Sequence, residues 1–154
     1  MFGVWRTMYA FWSAMTAAVL AQCLKPVFAY FKTKEWNWRL ITASGGFPSS
    51  HSALVSALAL SVGIHERFRS SIFAVTLALA VIVVYDSANV RYYSGEHIKV
   101  TQQLIRDLQK NDPDILKDPV YETKLKPVLG HKRIEVLGGV LLGLMIAMLF
   151  EKLL

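Results

Sequence analysis

The sequence predicts an all-α integral membrane protein, and three observations predict it. Of its 154 residues, 54% are hydrophobic and the mean hydropathy is +0.38, which is too apolar for an ordinary soluble domain of this length. The charged residues, 18% of the chain, are clustered and leave long uncharged runs between them. Small residues (Ala, Ser, Thr, Gly) recur inside those runs, which suits close packing of helices in lipid. The expected architecture is a helical bundle of about four membrane-embedded helices plus a cytoplasmic helical insertion. The chain is long enough for one domain, 1–154, with the insertion at 92–130.

Met8 to Leu24 is the first apolar run, 17 residues without a charge. At about 1.5 Å per residue it crosses a bilayer if the helix continues through Pro26 towards Phe31. A signal peptide is the competing reading, with Arg6 as its basic start and Val19-Leu20-Ala21 as a cleavage site. The run is long for a signal, and apolar character resumes after Lys25. The single cysteine, Cys23, excludes an intramolecular disulfide and reads as a small packing residue. Lys32 to Arg39 is polar and aromatic, with Trp36 and Trp38 placed as interface anchors.

Gly45-Gly46-Phe47-Pro48-Ser49-Ser50-His51 then leads into the next apolar run. Its glycines permit close approach of backbone to a ligand, Pro suits a first helical turn, and Ser is a favoured N-cap. The N–H groups of the helix that follows suit an anion such as phosphate. Ser52 to Ile64 and Ser71 to Tyr85 are short for full spans and read either as tilted, extended spans or as a re-entrant hairpin. His65, in the turn between them, reads as a solvated loop residue.

Asp86 to Arg133 is the long polar segment. Within it Glu96 to Lys110 reads as an amphipathic helix, with Val100, Leu104, Ile105 and Leu108 at helical spacing. Tyr92 and Tyr93 read as interface aromatics. Asn111-Asp112-Pro113-Asp114 ends the helix, and Asp118-Pro119 and Lys126-Pro127 mark further turns. Ile134 to Phe150 is the last span, and its Gly139-x3-Gly143 pair suits a closely packed helix, whether within the chain or in a homo-oligomer.

Alternation of sides places the 25–51 and 86–133 regions together. They hold 13 of the 17 Lys and Arg residues, so the positive-inside rule orients this face to the cytoplasm of a multi-pass cell-membrane protein. The net charge of +6 thus reads as membrane orientation and anionic-lipid contact, not as a nucleic-acid surface. Lys25, Ser49, Ser50, His51, Asp86, Arg91, His97, His131 and Glu135 all fall on this face. A His nucleophile must be neutral on its attacking nitrogen, and Glu135 can accept the other ring N–H of His131 and so select that tautomer.

Three motifs in order on one face resemble a known family. Pro48-Ser49-Ser50-His51 is similar to the Pro-Ser-Gly-His motif of the type 2 phosphatidic acid phosphatase and vanadium haloperoxidase superfamily. Gly130-His131, with Glu135-Val136 and the glycines after it, looks like that superfamily's last motif. With Asp86-x4-Arg91 between them, the pattern resembles the divergent branch. The resemblance implies metal-independent, cofactor-free phosphoester hydrolysis through a phosphohistidine. His131 would be the nucleophile, His51 the acid, and Glu135 the tautomer control; Arg91, Lys25, Ser49 and Ser50 would hold phosphate. Asp86 and His97 are further candidates.

Two departures keep alternatives open. The family's Arg normally stands six residues before the nucleophile; here Arg91 has that spacing to His97, which has Thr101 where the acid belongs, whereas six before His131 is Leu125. His131 is favoured because it has the acid and the following apolar helix. Of the family's first motif only Lys25 is carried over. The expected substrate is a lipid phosphate or diphosphate: phosphatidate, phosphatidylglycerophosphate or polyprenyl diphosphate. Halide oxidation, the fold-level alternative, belongs to soluble members. From a different class, the alternative is a non-enzymatic protein that binds phosphorylated head groups.

Overall fold

A computed structural model describes residues 8–43, 45–111 and 131–153, without the side chains of Arg91, Gln109 and Asn111. These residues form five α-helices and one short 3-10 helix. In chain order they are α1 (Tyr9–Thr33), the 3-10 helix (Trp38–Thr42), α2 (Ser50–Glu66), α3 (Ser71–Ala88), α4 (Val90–Asn111) and α5 (Arg133–Leu153). The turns expected at 112–114, 118–119 and 126–127, and the insertion beyond Asn111, lie outside the described residues.

Helix α1 does run through Pro26. Its 25 residues measure about 37 Å at 1.5 Å per residue, enough to cross a bilayer core of about 30 Å. It ends at Lys34, a left-handed C-cap with φ 61°. Around that end Tyr30, Trp36 and Trp38 stack, with ring centroids 4.7 and 5.3 Å apart. Both tryptophans are exposed, as interface anchors are.

Helix α2 is the centre of the bundle and packs against α1, α3 and α5. It is longer than the apolar pattern suggested, because Ser49 caps it by accepting the Ser52 N–H and draws Ser50 and His51 into its first turn. Pro48 therefore precedes the cap instead of occupying the first turn. The buried positions of α2 are nearly all Ser, Ala, Val and Gly. Small side chains let the neighbouring backbones close in: an ideal Cβ on Gly143 of α5 would collide with the Ala53 carbonyl, and one on Gly139 with the Ser49 carbonyl. The Gly139-x3-Gly143 pair is thus spent on packing within the chain.

Helix α3 returns antiparallel on the outside. Only Ala80 and Ser87 of it are buried, while Ile72, Val75, Val81 and Ile82 are more than half exposed. Such a continuous apolar surface belongs against lipid. By length and composition, three helical stretches suit a crossing: Tyr9–Thr33, Ser71–Leu108 and Arg133–Leu153. The second is interrupted at Asn89, where α3 gives way to α4. The 17-residue α2 is enclosed among them. Helix α4 begins six residues before the expected Glu96, at Val90, so Arg91, Tyr92 and Tyr93 are helical.

Two buried contacts fix which ends coincide. The Tyr9 hydroxyl donates to the Ala147 carbonyl at 3.1 Å, and Ser61 Oγ donates to Ser13 Oγ at 3.0 Å. The start of α1 and the ends of α2 and α5 therefore share one end of the bundle. The end of α1, the starts of α2 and α5 and the end of α3 share the other.

Candidate active site

The opposite end is where the chemistry-bearing residues meet. His131 lies two residues before α5, and its side chain is 2% exposed. Its Nδ1 is 3.1 Å from Oε2 of Glu135. A carboxylate only accepts, so Nδ1 carries a proton, and in the neutral ring Nε2 then carries the lone pair. That Nε2 is buried and has no hydrogen-bond partner among the described residues.

Glu135 does more than sit one turn along a helix shared with His131, as its spacing suggested. Lys132 is the N-cap of α5, since its carbonyl accepts the Glu135 and Val136 N–H groups. Glu135 is therefore the third residue of the helix, and its Oε2 also accepts the Lys132 N–H at 3.1 Å. This is one half of a capping box. The Gly46 N–H is a further donor to the same carboxylate. The carboxylate is thus oriented by the helix end it caps before it touches His131.

The Gly-Gly-Phe-Pro-Ser-Ser-His stretch is tied to this corner through the main chain. The Ser49 N–H donates to the Glu135 carbonyl at 2.9 Å. Gly46 has φ 98°, a conformation that glycine adopts without strain. The open side of Gly46 faces the stem of Lys25, whose Cδ would stand 3.7 Å from an added Cβ. Lys25 is 2% exposed; its Nζ donates to the Ala43 carbonyl at 2.8 Å and feels the charge of Glu135. A buried lysine thus lies within electrostatic reach of the carboxylate that controls His131.

His51, in the first turn of α2, is exposed, and its ring centroid is 6.5 Å from that of His131. The rings come from residues 80 positions apart. Ser49 has a different part from the one its motif suggested. Its hydroxyl is fully buried and engaged with the Ser52 N–H and Oγ, and its N–H is given to Glu135. It positions the loop and the first turn of α2 that follows it.

Of the other candidates, Asp86 lies in the last turn of α3, and Arg91 follows the break at Asn89. His97 is exposed on α4, where its carbonyl accepts the Thr101 hydroxyl. No carboxylate among the described residues is bonded to its ring. Two small clefts adjoin the site between α4 and the start of α5. One, of about 290 Å³, is lined by Ala88, Tyr92, Tyr93, Lys132 and Arg133. The other, of about 170 Å³, has Tyr92, Lys99, Lys132 and Glu135 in its wall. Sequence reasoning left Lys99, Lys132 and the tyrosines outside the site; the adjacency of Lys132 to His131 was the available signal. Among the described residues no group of three or more His, Cys, Asp or Glu stands where it could hold a metal.

The sequence profile of the divergent PAP2 family matches residues 7–146. An uncharacterized membrane protein of Bacillus subtilis (strain 168), YuiD, is 35% identical over 141 residues, covering 88% of this chain and 89% of the bacterial protein. No solved structure matches this chain significantly.

Proposed function

The chain belongs to the divergent PAP2 family, and on that premise we propose that it hydrolyses a lipid phosphate monoester or diphosphate through a phosphohistidine on His131. One observation carries the reading: His131 is held as the Nδ1–H tautomer by Glu135, with Nε2 unpartnered among the described residues, beside a second histidine. A site that only bound phosphate would need cations; it would have no need of an oriented imidazole lone pair.

In the first step His131 Nε2 attacks phosphorus. The P–N bond forms, the bond from phosphorus to the lipid oxygen breaks, and His51 as imidazolium gives that oxygen its proton. In the second step neutral His51 takes a proton from water, the oxygen of that water attacks phosphorus, and the P–N bond breaks to release phosphate. Glu135 stabilises the positive charge that His131 acquires in the first step. Lys25, Arg91 and the first-turn N–H of Ser50 offset charge on the phosphoryl oxygens. The buried Nε2 requires this corner to open when phosphate enters. A membrane-embedded helix bundle suits a substrate with its head in water and its tails in lipid, and the charge distribution supports a cytoplasmic orientation for the site.

The test is phosphate release from a panel of lipid phosphates by purified protein in detergent, with a chelator present. Wild type and His97→Ala are expected to release phosphate, and His131→Ala to be inactive. Loss in His97→Ala alone would move the nucleophile to α4. Phosphate binding without release from any lipid would replace the enzyme with a head-group binder.

A further inference from the structure

Gln22 is a polar residue in the middle of α1, and the reaction described above makes no use of it. Its Oε1 is buried and has no hydrogen-bond partner among the described residues. An amide oxygen without a donor is costly in a membrane bundle, where polar side chains usually pair across helices or mark a functional site. Gln22 lines a groove of about 440 Å³ between α1 and α2. Ala18, Val19, Cys23 and Leu54 make the groove mainly apolar, and His51 stands in its wall. With His51 as the proposed acid, a leaving alcohol protonated there would lie against this groove. Gln22 precedes Lys25 by three residues, roughly 4.5 Å along the helix axis on the bilayer side. With phosphate held at Lys25, the carbons next to the phosphate ester would lie at this depth.

We infer that Gln22 is a specificity-determining residue whose amide oxygen accepts a hydrogen bond from a hydroxyl on the carbon adjacent to the phosphate-bearing carbon of the lipid. The preferred substrate class is then lipid phosphates whose leaving alcohol is a vicinal diol. Fully acylated glycerol phosphates and polyprenyl phosphates, which have no such donor, are disfavoured. This rests on the phosphatase reading for the direction in which the leaving group lies, and it adds a discrimination which that reading does not contain. A site built to bond a hydroxyl rejects the analogue that lacks it, because its own polar group is then left buried and unpaired.

The experiment uses a matched pair of lipids in nanodiscs: a single-chain acyl glycerol phosphate with a free hydroxyl beside the phosphate-bearing carbon, and its 2-deoxy counterpart. Phosphate release gives kcat/KM for each with wild type and with Gln22→Met, which keeps the side-chain length. Equilibrium binding of each lipid is measured in the non-reacting His131→Ala protein, with and without the same change at Gln22. Wild type is expected to favour the hydroxyl lipid by about tenfold or more, and the ratio to collapse towards one in Gln22→Met. A ratio near one in wild type overturns the inference, and so does a ratio that survives in Gln22→Met; the wild-type comparison needs no variant, and Gln22→Leu is a second one should Gln22→Met fail to fold. If both lipids are hydrolysed without regard to Gln22, the phosphatase reading stands and this inference falls. If neither is hydrolysed but the binding ratio depends on Gln22, the inference stands and the phosphatase reading falls.

Discussion

Gly139→Ala is the smallest change that should damage packing and chemistry together. An ideal Cβ there would overlap the Ser49 carbonyl oxygen and stand 3.0 Å from Ser52 Cβ and 3.1 Å from the Ser49 carbonyl carbon. Two of these atoms are backbone and cannot rotate away. The Ser49 carbonyl is held by the Ala53 N–H at 3.0 Å, and the Ser49 N–H is held by the Glu135 carbonyl at 2.9 Å. Relief therefore requires α5 and α2 to part by roughly 1 Å to regain ordinary contact distances. Overpacking of this kind costs on the order of 1–3 kcal/mol. The better helix propensity of Ala returns at most about 1 kcal/mol. A net loss of about 1–2 kcal/mol lowers Tm by about 2–4 °C per kcal/mol in a protein of this size. The catalytic consequence is larger, because the displaced contact joins the His51 loop to Glu135, and a 1 Å misplacement of reacting groups costs on the order of 100-fold. Thermal unfolding in detergent and phosphate release are measured side by side, with Leu141→Ala as the control. Leu141 is 54% exposed on the same helix and should leave activity near wild type. The reasoning is refuted if Gly139→Ala keeps both its Tm and its rate within error of wild type.

Other perturbations separate the parts of the site. Glu135→Gln preserves a side chain that can complete the capping box but removes the charge that fixes the His131 tautomer. A lost charge-assisted hydrogen bond of about 1.5–3 kcal/mol corresponds to a fall in kcat of roughly 10- to 150-fold, read by phosphate release, with Tm little changed. Lys25→Met removes the buried amine within electrostatic reach of Glu135 and the donor to the Ala43 carbonyl. It should weaken inhibition by orthovanadate or phosphate by about tenfold or more, the loss expected for one charged hydrogen bond; unchanged inhibition would take Lys25 out of the phosphate site. Tyr9→Phe deletes the hydroxyl that bonds the Ala147 carbonyl and meets Ser61 and Glu151, at the far end of the bundle. It should cost about 1 kcal/mol of stability with no change in kcat, so a parallel loss of activity would contradict the separation of the two ends.

Much of the site was legible because its signals are local. The Ser49 cap follows from a Ser ahead of an apolar run. The pairing of His131 with Glu135 follows from their spacing, although the reason differs from the one the spacing suggested: His131 stands outside α5, and Glu135 reaches back to it while capping the helix. The same locality misled at the boundaries. The apolar pattern begins α2 at Ser52 and the amphipathic one begins α4 at Glu96, but the helices start at Ser50 and Val90. Hydropathy marks where a helix meets lipid, whereas hydrogen bonds mark where it ends, and polar first turns satisfy the second criterion alone. Ser49 illustrates a further limit. Its motif suggested a phosphate contact, yet both its hydroxyl and its N–H are committed to protein partners, which no spacing rule reveals.

By itself the sequence determined the class of structure: apolar runs of bilayer length, small residues within them, and basic residues clustered between them, each a property of a contiguous segment and its solvent. It also determined the family and the order of its motifs. Only the tertiary structure decided that His51 would stand 6.5 Å from His131, that Lys25 would lie buried against the Gly46 turn, and that the Gly139-x3-Gly143 pair would serve α2 instead of a second chain. Which helix occupies the centre, and how closely its neighbours approach, depends on where small side chains from several segments meet. That is a property of the whole packing and belongs to no one segment.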